Sequence, residues 1–154
     1  MDVKVRKMNL ADVDAVHAIE VASITPPWTK QGFEEALANE NACLYVAEVR
    51  HALESGETAE VVGYCGIYFA ADEGEITNVA VAPAWRKQGI ADKILAVVKV
   101  NAKMSGYATI FLEVRESNIA AQKLYEKHGF VAAGLRKNFY REPQEHAIVM
   151  SCSL

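Results

Sequence analysis

No apolar run in this chain approaches the ~20 residues that a membrane-spanning helix needs, so no membrane partner is expected. The opening stretch MDVKVRKMNLADVD likewise lacks the apolar core of a secretory signal, which points to a protein of the cytoplasm. Cysteine is scarce: Cys43, Cys65 and Cys152 are odd in number, far apart and set among strand-forming apolar residues, a pattern of buried thiols rather than of disulfides, metal ligands or nucleophiles. None of His17, His51, His128 and His146 stands in metal-ligand spacing with cysteine or carboxylate, and neither HExxH nor paired CxxC occurs, so no metal is expected. Positive charge is not in excess. With 16 Lys+Arg against 20 Asp+Glu the net charge is −4, which argues against general nucleic-acid binding and mildly favours a basic substrate. There is no internal repeat and no low-complexity tract, and 154 residues suit one domain, taken as residues 1–154.

What is present begins with Thr109–Phe130, TIFLEVRESNIAAQKLYEKHGF. Glu113 interrupts Ile110, Phe111, Leu112 and Val114, a run too apolar for an exposed strand, and a carboxylate in such a place must be paired, hydrated or functional. Tyr125 follows on the next helix. Elsewhere the pattern predicts a strand from about Val3 to Met8, two helices split at Thr25-Pro26-Pro27, and strands over Leu44–Val49, Val61–Ala70 and Glu75–Val81. The charged, small-residue segment His51–Glu60 is expected as an exposed, mobile hairpin loop. A helix is predicted over Gln88–Met104, with Ile90, Ile94, Val97 and Val98 on the buried face and Lys93, Lys99 and Lys103 toward water. A strand over Thr109–Arg115, a helix over Asn118–His128 stopped by Gly129, and strands near Val131–Tyr140 and Ala147–Ser151 complete a mixed α/β sheet.

A second landmark is NVAVAPAWRKQGIADKIL, Asn78–Leu95, in which a strand ends at Pro83 and a helix starts near Gln88-Gly89. A helix start with little side-chain bulk at Gly89 and Ala91 exposes unpaired N–H groups suited to a pyrophosphate. On the residues alone an ordinary helix cap fits equally well, and Val79-Ala80-Val81 reads equally as a plain buried strand.

Together, in this order, these segments resemble the GNAT superfamily of acetyl-coenzyme A dependent N-acetyltransferases. PPWTKQGF (Pro26–Phe33), NVAVAP (Asn78–Pro83), LEVRESNIAAQKLYEKHGF (Leu112–Phe130) and RKNFY (Arg136–Tyr140) are similar to the bacterial ribosomal-protein alanine N-acetyltransferases within it. The resemblance implies a mostly antiparallel sheet, splayed at the coenzyme site and flanked by about four helices. It implies acetyl-coenzyme A as cosubstrate, held by Arg86, Lys87, Gln88, Gly89, Ile90, Ala91 and Asp92, with Arg86, Gly89 and Ala91 at the R-x-x-G-x-A positions. It places pantetheine along a bulged strand at Val79, Ala80 and Val81, and a coenzyme contact at Asn118. Glu113 becomes the general base and Tyr125 the general acid, and Trp28 and Tyr140 flank the acceptor, a protein N-terminus expected on a ribosomal protein.

Each of these residues also has a structural reading. Glu113 can pair with Arg115 or a helix end, Tyr125 can cover the sheet, Asn118 can cap its helix, and Trp28 can staple a helix junction. Asp92 departs from the family pattern, where a basic residue is common, and is expected to point to solvent near the helix N-terminus, leaving Arg86 and Lys87 to supply charge. An N-terminal amine, with a reference pKa of about 7.7–8.0, has a larger neutral fraction at pH 7 than lysine at about 10.4, which favours Nα chemistry. Acetylation of a small amine such as a polyamine, aminoglycoside or amino acid, and a non-catalytic coenzyme-binding module, are the alternatives.

Overall fold

The computed structural model describes residues 2–154. Strands β1 (Asp2–Lys7), β2 (Ala42–Leu53), β3 (Gly56–Ala70), β4 (Glu73–Val81), β5 (Thr109–Arg115), β6 (Val131–Arg141) and β7 (Gln144–Ser153) form one sheet in the order β1-β2-β3-β4-β5-β7-β6. Every neighbouring pair is antiparallel except β4 and β5, which run parallel, so the mostly antiparallel sheet is observed. Four α-helices flank it: α1 (Val13–Ser23), α2 (Lys30–Ala38), α3 (Ile90–Met104) and α4 (Ile119–Lys127). Among the described residues no helix is long and apolar enough to cross a membrane.

Two apolar clusters separate the faces of the sheet. On one side Val13, Val16 and Ile19 of α1 and Phe33 of α2 pack with Leu44, Val46 and Tyr64. On the other, Ile90, Ile94, Leu95 and Val98 of α3 and Tyr125 of α4 pack with Ile110, Leu112 and Val114. The 3.6-residue spacing in α3 thus buries the predicted face, but Lys99 does not reach water freely: it is half-buried and its Nζ donates to the carbonyl of His128. Phe33 is wholly buried, tilted against Trp28 at 5.3 Å and edge-on to Tyr64 at 5.8 Å. Phe33→Ala should cost about 3–5 kcal/mol, because the transfer loss adds to a cavity that an aromatic cluster cannot close. A denaturation midpoint lowered by roughly 10 °C is the expected reading.

Several element boundaries differ from expectation, among them β7, which starts at Gln144 rather than Ala147, and two of the differences are instructive. His51–Glu60 is no loose loop, since β2 and β3 continue through it to a two-residue connection at Glu54-Ser55, in the register His51↔Thr58 and Leu53↔Gly56. Arg50 pairs with Glu57 at 3.8 Å and His51 with Glu60 at 3.5 Å, so the charges that looked like loop signals are cross-strand partners. Helix α3 begins at Ile90, not Gln88, because Gly89 sits at φ +78° in the left-handed region that a right-handed helix excludes.

Candidate active site

The site begins with a fault in the sheet. β4 and β5 pair only over Glu73↔Thr109, Gly74↔Ile110 and Glu75↔Phe111. Immediately after, the register of β3 against β4 shifts, from Gly66↔Asn78 to Ile67↔Ile76, which leaves Thr77 as the bulged residue. Beyond that bulge β4 makes no further pairs with β5, and a cavity of about 600 Å³ opens beside it. Val79, Ala80 and Val81 line one wall, Arg86, Lys87, Gly89, Ile90, Ala91 and Asp92 the base, and Asn118 and Tyr125 the far side. Gln88 alone of the loop turns away, its amide 3.5 Å from the carbonyl of Ala84.

The floor of the cavity is the start of α3. Gly89 is its N-cap and, having no side chain, offers no capping group, so the first N–H groups of the helix have no side-chain acceptor and carry the positive end of its dipole. Arg86 is less a free cation than a strut, with Nε 3.1 Å from the carbonyl of Val81 and Nη2 3.1 Å from Ser23 Oγ of α1. Asp92 corrects the expectation of a solvent-facing carboxylate. It borders the cavity and bridges α3 to the end of α4, 2.8 Å from His128 Nε2 and 3.2 Å from Lys127 Nζ. The hydrogen bond from His128 and the ammonium of Lys127 hold its carboxyl below the usual range, and its charge is compensated in place.

Asn118 caps α4, its Oδ1 accepting the N–H of Ala121 at 3.1 Å, and the residue also borders the cavity. Tyr125 is 7% exposed and edge-on to Phe130 at 5.8 Å, yet it reaches the cavity wall. Burial pushes its hydroxyl well above the ordinary phenol value.

Glu113 does not line this cavity. Alternation along β5 sends Ile110, Leu112 and Val114 to the α3/α4 cluster and Glu113 to the opposite face, with Phe111 and Arg115. Its carboxyl is raised above 4.5, first by burial and then by Glu75, against a smaller opposing effect of Arg136. The partner is not Arg115, as pairing by sequence proximity implied, but Arg136 of β6, whose Nε lies 3.4 Å from Oε1. Arg115 is taken up elsewhere. It stacks over the Tyr140 ring at 4.2 Å, meets the carbonyls of Glu142 and Pro143 at 3.0 and 2.9 Å, and reaches Glu145 at 3.4 Å.

Trp28 and Tyr140 lie outside the cavity, Trp28 packed on Phe33 and Tyr140 half-buried under Arg115, its phenol raised first by burial and then by the charge of Glu113. Sequence reasoning missed Glu20, a carboxylate with no solvent exposure on α1. The signal was there: it falls four residues after Val16, on the stripe that Val13, Val16 and Ile19 mark as inward. Among the described residues no group of three or more His, Cys, Asp or Glu could hold a metal ion.

Residues 13–130 match the model of the acetyltransferase (GNAT) family. A ribosomal protein bS18-alanine N-acetyltransferase of Haemophilus ducreyi is 33% identical, covering 93% of this chain and 94% of its own. A Bacillus subtilis protein provisionally given the same name is 38% identical over 95% of this chain and 92% of its own. The crystal structure of the Escherichia coli ribosomal-protein-S18-alanine N-acetyltransferase superposes with a TM-score of 0.84 at 27% identity, covering 99% of this chain and 94% of that one.

Proposed function

The chain belongs to the acetyltransferase (GNAT) family, and on that premise we propose that it transfers acetyl from acetyl-coenzyme A to the N-terminal α-amine of a protein, the N-terminal alanine of a small-subunit ribosomal protein. Action in the cytoplasm is part of the same proposal. The observation that carries it is the parting of β4 and β5, which leaves a cavity with Tyr125 on one face of the sheet and a base-competent carboxylate, Glu113, on the other. Two substrates can then meet through the gap in one ternary complex.

In this scheme the uncapped start of α3, with Lys87 beside it, takes the pyrophosphate, and the edge of Val79–Val81 left unpaired by β5 takes the pantetheine amides. Glu113, directly or through a water, removes the proton as the neutral amine attacks the thioester carbonyl; its raised pKa suits that task near neutrality. A β4 backbone N–H steadies the oxyanion. When the tetrahedral intermediate collapses, the C–S bond breaks and Tyr125 supplies the proton to the sulfur, so the products are the acetylated amine and free thiol. A phenol held above its ordinary value keeps that proton until the thiolate forms.

Release of free coenzyme A decides the reading when measured with an Ala-initiated ribosomal peptide, its N-blocked form and a polyamine. Turnover of the free-amine peptide alone is the expected result. Polyamine turnover without peptide turnover would shift the acceptor to small amines, and coenzyme binding with no turnover would leave only a binding module.

A further inference from the structure

Glu20 has no part in the scheme above, yet no solvent reaches it. A buried carboxylate is unfavourable unless donors surround it, and three elements supply them. Oε1 accepts the hydroxyl of Tyr64 on β3. Oε2 accepts two donors, the backbone N–H of Trp28 at 3.1 Å and Asn78 Nδ2 at 3.3 Å. A single oxygen therefore joins the α1–α2 connection, which carries Trp28, to the residue that precedes Val79 on the cavity wall.

The surroundings are shaped for that bridge. Asn78 Oδ1 is held by the hydroxyl of the bulged Thr77 at 2.9 Å. Opposite stands Gly66, where a Cβ would come within 2.5 Å of the same oxygen, so a glycine leaves the room in which this amide can sit. An apolar side chain of similar volume would fill the space beneath Tyr64 as well, so closing the core does not by itself call for a charge.

We propose that Glu20 is a positioning residue coupling the two substrate sites: its Oε2 ties the Trp28 connection to the Asn78 end of the coenzyme strand, so that filling one site orders the other. The proposal rests on the acetyltransferase reading. Coupling of this kind is reciprocal for binding, so coenzyme A alone suffices as probe.

Hydrogen exchange at the Trp28 amide, measured on the full chain, should slow about fivefold or more when coenzyme A saturates the wild type. In Glu20→Gln the response should vanish while coenzyme A still binds with a Kd within about threefold of wild type. In turnover the same variant should raise the KM of each substrate about tenfold when the other is saturating, although coenzyme A alone still binds nearly as in wild type, a split that general loosening of the fold does not produce. Should Glu20→Gln fail to fold, Asn78→Ala cuts the same bridge, leaves Glu20 two donors, and is expected to lose the response. A response that survives in Asn78→Ala, or a wild type that binds coenzyme A with no change at Trp28, overturns the coupling and leaves the acetyltransferase reading standing. A wild type that does not bind coenzyme A overturns both.

Discussion

Glu113→Gln should lower kcat by about 10²–10³-fold with little change in the KM for acetyl-coenzyme A, the size of effect that loss of a positioned base produces. The amide keeps the shape of the carboxyl and its place beside Arg136, so a lost rate reports lost basicity rather than lost packing. In the wild type, kcat/KM should rise with pH through a carboxyl pKa above the ordinary 4.5, because only the ionised group takes a proton. The variant should lose that limb. Stability should move the other way. A carboxyl whose folded pKa is raised holds its proton longer folded than unfolded, so between the two values the folded state binds more protons and stability falls as pH rises. Glu113→Gln should therefore melt at or above the wild-type temperature at pH 8, with the difference closing below the ordinary carboxylate value. An unchanged kcat would remove Glu113 from the mechanism.

Tyr125→Phe should lower kcat by about 10²-fold while both KM values stay within about threefold, since the ring that packs on Phe130 remains and only the proton donor is removed. The decisive comparison varies the leaving group. With an acetyl donor whose thiol is more acidic, the departing thiolate needs less help, and the gap between wild type and variant should shrink. A gap independent of thiol acidity would assign the ring to packing. Stability should change by no more than about 1 kcal/mol, because the ring that packs on Phe130 is kept and a single hydroxyl is removed.

Much of this architecture was legible as local pattern. The seven residues of β5 were readable to the residue, because a run of β-formers broken only by Glu113 and flanked by turn residues admits few other conformations. The stop of α4 at Gly129, with φ +87°, followed from a residue type. The β2–β3 arm was misread, since Arg50–Glu57 and His51–Glu60 are satisfied across strands and one strand's charges look like loop until its partner is placed. Asp92 failed for the same reason, its partners lying 35 and 36 residues on, at Lys127 and His128.

The sequence by itself marked the candidates: strand pattern exposed a carboxylate among apolar residues and residue type exposed the small side chains at the start of α3, while the family resemblance pointed to the tyrosine on the next helix. Only the tertiary structure decided how they meet. That β4 and β5 part after Glu75 and Phe111, that Glu113 and Tyr125 face opposite sides of the gap, that Arg136 rather than Arg115 stands by Glu113, and that Glu20 binds three elements at once are all set by strand register and long-range packing. Side-chain alternation is known along each strand, but the partner across a sheet depends on which strands become neighbours, and that choice belongs to the whole chain.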